Sequence, residues 1–233
     1  MTGWKKQRQR KADVKARAEQ PNHMYGYCRV VHCGKPARAG TGDGLDMMFC
    51  RSHADHYSRH GSAYKASYTA KDLQPHRQEA RKWLEANQDD PAVHRAVLGV
   101  RGLYQQAGPH VEAFRLRGLP PRDRARAAWA RLRKANVEPV RVVEAWLTVE
   151  AMVAADPQPE NNPEFKRVQV AKLIHRLASG THKSWPKPGG GVQEMHVYPR
   201  SRGRVLRHMG NEAEEVAVPV IELWRRSTFG IGA

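Results

Sequence analysis

Downstream of Lys71 the apolar residues recur at intervals of three and four, the spacing that lines them along one face of an α-helix. Lys71-Asp72 opens the first such segment, which runs to about Asn87 with Trp83 and Leu84 turned inward. Asp90-Pro91 starts the next: Asp90 can cap free amides, and Pro91 suits a first helical position that needs no amide hydrogen. Val93, Val97, Leu98, Val100, Leu103 and Tyr104 form its apolar stripe, and Gly108-Pro109 ends it. A short helix with Val111, Phe114 and Leu116 is expected before Gly118. Pro120-Pro121 begins a helix with Ala125, Ala128, Trp129 and Leu132 on one face. Its other face is read as Arg122, Arg124, Arg126, Arg131, Arg133 and Lys134, either a solvated surface or one that lies along phosphates. Residues 140–155, with Val142, Val143, Trp146, Leu147, Val149, Met152 and Val153, are the most apolar helix and are expected at the centre of the core. The pair over 122–155 is the place to look for a helix-turn-helix.

A proline-punctuated loop over 155–163 leads to an amphipathic helix at about 164–178, with Phe165, Val168, Val170, Leu173, Ile174 and Leu177 inward. Residues 181–199, carrying Gly189-Gly190-Gly191, predict a mobile loop or short hairpin with one strand at 193–198. A last helix is expected over 211–226 despite Pro219, with Glu212, Glu214 and Glu215 in a first turn that favours negative charge.

Upstream of residue 70 this periodicity is missing. Residues 2–20 carry Lys5, Lys6, Arg8, Arg10, Lys11, Lys15 and Arg17 against Asp13 and Glu19, with little but Trp4, Val14 and alanines to bury. Such a segment predicts a flexible arm, or a helix formed on contact with a polyanion, ending at Pro21-Asn22. Between the arm and the helices lie all three cysteines, as Cys28-x4-Cys33, sixteen residues, then Cys50-x2-His53. Three thiolates and an imidazole are a ligand set for a closed, four-coordinate structural zinc site. Gly34 and Pro36 turn the chain after the first pair, while Cys50 and His53, three apart, share a face of a helical first turn. Gly40-Thr41-Gly42-Asp43-Gly44 reads as a turn, and 45–49 as a short strand leading to Cys50. Knuckle, hairpin and ligand-bearing helix make a treble-clef arrangement. Unrelated buried thiols with a surface histidine are the bland alternative, and an odd cysteine count argues against disulfides.

The run Cys28-x4-Cys33-Gly34-Lys35-Pro36-Ala37-Arg38-Ala39, then Phe49-Cys50-Arg51-Ser52-His53 and Tyr57-Ser58-Arg59-His60-Gly61, resembles a small zinc-finger module of bacteriophage and mobile-element proteins. That module often stands beside HNH-type endonuclease domains. The resemblance covers about 34 of 233 residues. It implies an aromatic at Tyr57, a basic step at Arg59-His60 and a helix stop at Gly61. Ala54 stands where the family usually has tyrosine and His56 where it usually has arginine, which leaves the ligands alone but weakens any implied grip on phosphate.

Charge then narrows the partner. Forty Lys and Arg against 23 Asp and Glu give +17, an excess that favours an anionic partner. DNA is the expected partner, RNA the alternative, and a membrane is not expected because no run of 18 apolar residues occurs. Candidate contacts are Lys5, Lys6, Arg8, Arg10 and Lys11 on the arm, Arg38, Arg51, Arg59 and His60 on the module, and Arg200, Arg202, Arg204 and Arg207 near the C-terminus. In the connector over 62–69, Tyr64 and Tyr68 are four apart; packing is the favoured reading over base stacking. With no apolar signal segment and its thiols given to metal, the chain is expected in the cytoplasm.

Chemistry for an enzyme is sparse. Gly189–Gly191 is followed by Val-Gln-Glu rather than a phosphate-loop Gly-Lys-Ser/Thr, and neither a Gly-x-Ser-x-Gly elbow nor a deaminase signature is present. The sequence therefore predicts a mainly α protein: a basic arm over 1–21, a zinc module over 22–62, a helical domain over 71–179 and a basic loop with a C-terminal helix over 180–233. Its expected role is a DNA-binding accessory or regulatory factor of a phage or mobile element. An HNH-type nuclease using His56 or His60, and a structural or assembly protein making only protein contacts, are the alternatives.

Overall fold

The fold is given by a computed structural model, which describes residues 3–19, 26–41 and 44–229. The end of the basic arm at Pro21-Asn22 and the turn residues Gly42-Asp43 lie outside the described residues. The chain divides into two compact units, Met1–Ala66 and Ser67–Ala233. In the first are α1 (Gly3–Glu19), a hairpin of β1 (Ala39–Thr41) and β2 (Gly44–Asp46), and α2 (Arg51–His60). In the second are α3 (Ala70–Ala86), α4 (Pro91–Gln106), a 3₁₀ turn (Ala113–Leu116), α5 (Pro121–Lys134), α6 (Pro139–Ala155), α7 (Pro163–Arg176), a hairpin of β3 (Thr181–Pro186) and β4 (Val192–Val197), and α8 (Arg204–Phe229). The protein is mainly α, as the periodicity predicts.

Helix starts follow local chemistry. Thr69 and Asp72 form a capping box that starts α3, two residues' worth of orphan amides being satisfied reciprocally. Asp90 accepts from the Ala92 amide at 2.7 Å to open α4, and Asn162 from that of Glu164 at 3.0 Å to open α7. Prolines occupy the first turns of α4, α5, α6 and α7.

Helices α6 and α8 organise the second unit. α3, α4 and α7 pack on α6, and α8 packs on α4, α5, α6 and α7. Trp129, Trp146, Trp224 and Phe165 fill the interior between them. Every residue from Val142 to Ala151 is buried, so α6 has no free face to lay in a groove, and the helix-turn-helix idea fails for this pair. Tyr68 packs edge-on against Phe165 and donates to Asp156 at 2.6 Å, as the packing reading expects, whereas Tyr64 is exposed and its hydroxyl donates to the Arg29 carbonyl at 3.3 Å.

Several expectations are corrected. The last helix begins at Arg204 rather than Asn211, because buried Val205, Leu206 and Met209 extend the stripe of Ala213, Ala217, Val220, Ile221 and Trp224. Helix α8 thus builds the same core as 71–179 instead of standing apart. Glu212, Glu214 and Glu215 are no longer a first turn; Glu212 accepts from the Trp129 indole at 2.6 Å and Glu214 pairs with Arg167. Of the two readings for 181–199 the short hairpin holds, its second strand lying near the expected 193–198 and its first at Thr181–Pro186, with Thr181 opposite Val197 and Pro186 opposite Val192. Its turn needs glycine, since Gly189, Gly190 and Gly191 all take positive φ, of 96°, 96° and 85°. Arg131 is buried rather than part of a solvated arginine face, and Leu98 is exposed rather than inward.

Helix α8 meets α7 closely at Gly210, where an added Cβ would lie 2.7 Å from the carbonyl oxygen of Arg167. Gly102 in α4 faces open space, with nothing within 4 Å of such a Cβ. The same substitution should therefore have opposite signs. Gly210→Ala is expected to destabilise by about 1–3 kcal/mol through overpacking. Gly102→Ala should stabilise by up to about 1 kcal/mol through helix propensity. Urea unfolding followed by circular dichroism reads both.

Candidate metal centre

The cysteine-bearing stretch is folded by backbone bonds before any side chain is considered. Tyr27 bridges Pro36, the Ala37 amide donates to Gly26 at 2.8 Å, and the Cys28 amide donates to Lys35 at 2.8 Å. These bonds close a narrow loop that holds Cys28 and Cys33 on one side. Within it the Cys33 amide donates to Val30 at 3.0 Å, and His32 adopts a left-handed φ of 63°. The Arg29 amide reaches across to Met48 at 2.9 Å, tying this knuckle to the segment that leads into α2.

That segment is a turn and not the strand expected over 45–49. β2 stops at Asp46, whose carboxylate accepts from the Met48 and Phe49 amides at 2.8 and 3.0 Å and bends the chain. Cys50 is then the N-cap of α2, and His53 follows in its first turn. Gly61, with φ 77°, ends the helix and donates its amide to Tyr57 at 2.8 Å. Phe49 stacks on Tyr57 at 5.5 Å between centroids, bracing the ligand helix against the turn that precedes it.

Cys28, Cys33, Cys50 and His53 converge, with all four candidate ligand atoms within 4.8 Å of one another. Cys28 Sγ and Cys50 Sγ each lie 3.4 Å from His53 Nδ1, and Cys33 Sγ lies 3.7 Å from Cys50 Sγ. Disulfide sulfurs sit about 2.05 Å apart, so these thiols are not bonded. Burial, reinforced by the sulfurs of Cys33 and Cys28, pushes the Cys50 thiol up. For Cys33 burial is the largest single influence, but the Lys35 amide, the sulfurs of Cys50 and Cys28 and the Lys35 charge together outweigh it and bring its thiol down. Clustered sulfurs resist joint ionisation unless a cation sits among them. The group could hold one metal ion through three sulfurs and a ring nitrogen. Among the described residues it is also the one cluster of three or more His, Cys, Asp or Glu side chains able to do so.

Around it, an open depression of ≈ 520 Å³ is lined by Val30, Ser52, His53, Asp55, His56, Arg59, Ala63 and Tyr64. His56 donates from Nδ1 to the Ser62 carbonyl at 2.9 Å, and its ring lies 4.4 Å from that of His60. His56 therefore braces the connector that follows the helix.

The expected basic contacts fall on both units. Lys5 and Lys6 lie on α1, with side chains outside the described residues; Arg8, Arg10 and Lys11 are exposed there, Arg8 over the Trp4 ring at 4.6 Å. On the module Arg51 and Arg59 are exposed and Arg38 and His60 half-buried, with Arg51 3.9 Å from Asp55. In the second unit Arg200, Arg202 and Arg204 are exposed, whereas Arg207 is half-buried in an ion pair with Glu164 that occupies its guanidinium. The structure brings the four candidate metal ligands together, and the basic candidates are divided between the two units. Sequence reasoning missed Asp46, the residue that aims Cys50, although an aspartate just before a ligand is a turn signal. It also missed the inward Arg131, which lies three and four residues after Ala128 and Ala127 and so on their face.

No helix among the described residues is long and apolar enough to cross a membrane. No protein-family model matches the sequence, and no curated protein or solved structure is significantly similar to it.

Proposed function

We propose that residues 26–66 form a treble-clef zinc module and that the protein binds DNA as an accessory or regulatory factor of a phage or mobile element. The observation that carries the metal reading is the spacing of the donors. A tetrahedral zinc ion with bonds of about 2.3 Å to sulfur and about 2.0–2.1 Å to nitrogen sets neighbouring donors roughly 3.8 Å (S to S) and roughly 3.6 Å (S to N) apart. The contacts of 3.7 and 3.4 Å fall within a few tenths of an ångström of those edges. Thiolate-rich, closed donor sets favour zinc over hard cations such as magnesium or calcium. With all four positions taken by protein, zinc here would supply folding energy and no open site for substrate.

DNA binding is supported by the +17 charge and by exposed Arg8, Arg10, Lys11, Arg51 and Arg59. Cationic side chains gain affinity by releasing counterions from phosphates, a sequence-independent attraction that salt weakens. Duplex affinity is expected to fall at least about tenfold between 50 and 200 mM salt, with Arg51→Ala and Arg59→Ala each lowering the log–log salt slope by roughly 1. A gel-shift series at graded salt measures this. Binding that is absent at low salt, or indifferent to salt, sinks the reading. Nicking in magnesium that disappears in His56→Ala or His60→Ala would replace it with a nuclease.

A further inference from the structure

Arg131 presents an unsolved charge problem in the second unit. The residue is only 6 % exposed, yet its Nη2 donates to one neutral acceptor, the His175 carbonyl at 2.7 Å, and its Nε has no hydrogen-bond partner. No carboxylate among the described residues pairs with it. Other buried charges in this unit are handled differently: Glu144 meets Arg81 and Arg141, and Glu150 meets Lys166 and Arg225. Two acids adjoin wall residues in sequence: Asp123, which is exposed, and Glu112, which accepts from Thr181 at 2.8 Å and lies 4.0 Å from Lys134. Burying a guanidinium without a counter-charge is costly, which is why buried charges are normally paired.

The surroundings add positive charge. Arg131 lines a small cavity together with Arg124 from the same helix, His175 from α7, and Arg200 from the loop after β4, closed by Leu116 and Val205. Among the described residues no Asp or Glu lines it. Burial alone brings the Arg131 guanidinium down to about 10, still cationic at neutral pH. Burial first, then Arg131, Arg176 and Arg124, bring His175 down to about 3, so it stays neutral and cannot share the charge. Water in the cavity would not offset the charge.

We propose that the cavity walled by Arg124, Arg131, His175 and Arg200 binds a tetrahedral oxyanion of the phosphate class. The enclosed space is ≈ 10 Å³, room for about one water-sized atom, so a single oxygen enters while the others stay at the mouth. Exposed Arg200 can reach them there. Arginine suits the task because its planar fork matches phosphate oxygens and it stays charged when desolvated. The site belongs to the helical unit and stands without the metal module.

The intact protein is titrated with inorganic phosphate at millimolar concentration, against chloride of equal ionic strength, and its thermal midpoint is followed. A ligand that binds only the folded state raises that midpoint saturably. Wild type and Arg95→Ala, an exposed arginine of α4 outside the cavity, should show the rise. Arg200→Ala should weaken apparent phosphate affinity about tenfold, and Arg131→Met should abolish the response. Because Arg200 is exposed, its variant reports even if Arg131→Met fails to fold. A 5′-phosphorylated oligonucleotide displacing phosphate better than its 5′-hydroxyl twin would assign the oxyanion to a nucleic-acid end; equal competition would assign it to the free ion. A phosphate response equal to that of chloride, or equal in wild type and Arg200→Ala, overturns the site.

Discussion

Cys50→Ser is expected to unfold residues 26–66 and leave the helical unit folded. Among the described residues of this stretch the buried apolar ones are Cys28, Ala37, Cys50, Ala54 and Ala63. None is large, so at about 25 cal/mol per Å² of buried apolar surface they supply little against the entropy of ordering the chain. Small domains in this position rely on metals or disulfides, and the free thiols leave the metal. Metal binding to structural zinc peptides is worth roughly 10–16 kcal/mol at neutral pH, and that energy is folding energy. Cys50 is the ligand whose loss costs most. It is 4 % exposed, caps α2, and its sulfur sits against both Cys33 and His53. The variant should lose the one metal ion that the cluster would hold and become cleavable by trypsin within 26–66, while circular dichroism of α3 to α8 is largely kept. A strong chelator should reproduce this in wild type. Full protease resistance of the metal-free protein would show that the module stands without an ion.

What was legible in the sequence was whatever neighbouring residues decide. Periodic burial placed α3 to α7, and Asp90 and the prolines marked several helix starts. The two ligand pairs could be read because each is local: a tight loop for Cys28 and Cys33, one helical turn for Cys50 and His53. The rest depends on partners distant in the chain. Arg131 looked solvated because its acceptor, His175, lies 44 residues away. The start of α8 was hidden behind Arg200, Arg202, Arg204 and Arg207, whose charge outweighed the Val205, Leu206 and Met209 that bury between them. Residues 45–49 are apolar enough to pass for a short strand, but Asp46 uses its carboxylate to turn the backbone instead.

The most polar feature of the core gives the other large effect. Glu150 lies on α6 at 7 % exposure, with one carboxylate oxygen 3.0 Å from Lys166 Nζ and the other 2.7 Å from Arg225 Nε, 75 residues away. The carboxylate joins α7 and α8 to the central helix. Glu150→Ala would leave two cations without a counter-charge and open space beneath them. Removing one partner of a fully buried pair costs about 3–5 kcal/mol. Here the Lys166 and Arg225 side chains are 20 % and 45 % exposed, so both can turn toward water and the cost belongs at the lower end. A loss of about 3 kcal/mol lowers the midpoint of a unit this size by roughly 6–12 °C. Glu85→Ala, at an exposed position on α3, should stay within about 0.5 kcal/mol. Replacing Glu150, Lys166 and Arg225 together by methionine should recover much of the loss, because apolar groups of similar volume can match a buried ionic cluster. If Glu150→Ala moved the urea midpoint no more than Glu85→Ala, these contacts would be worth no more than surface pairs, and apolar packing alone would hold α7 and α8 to α6.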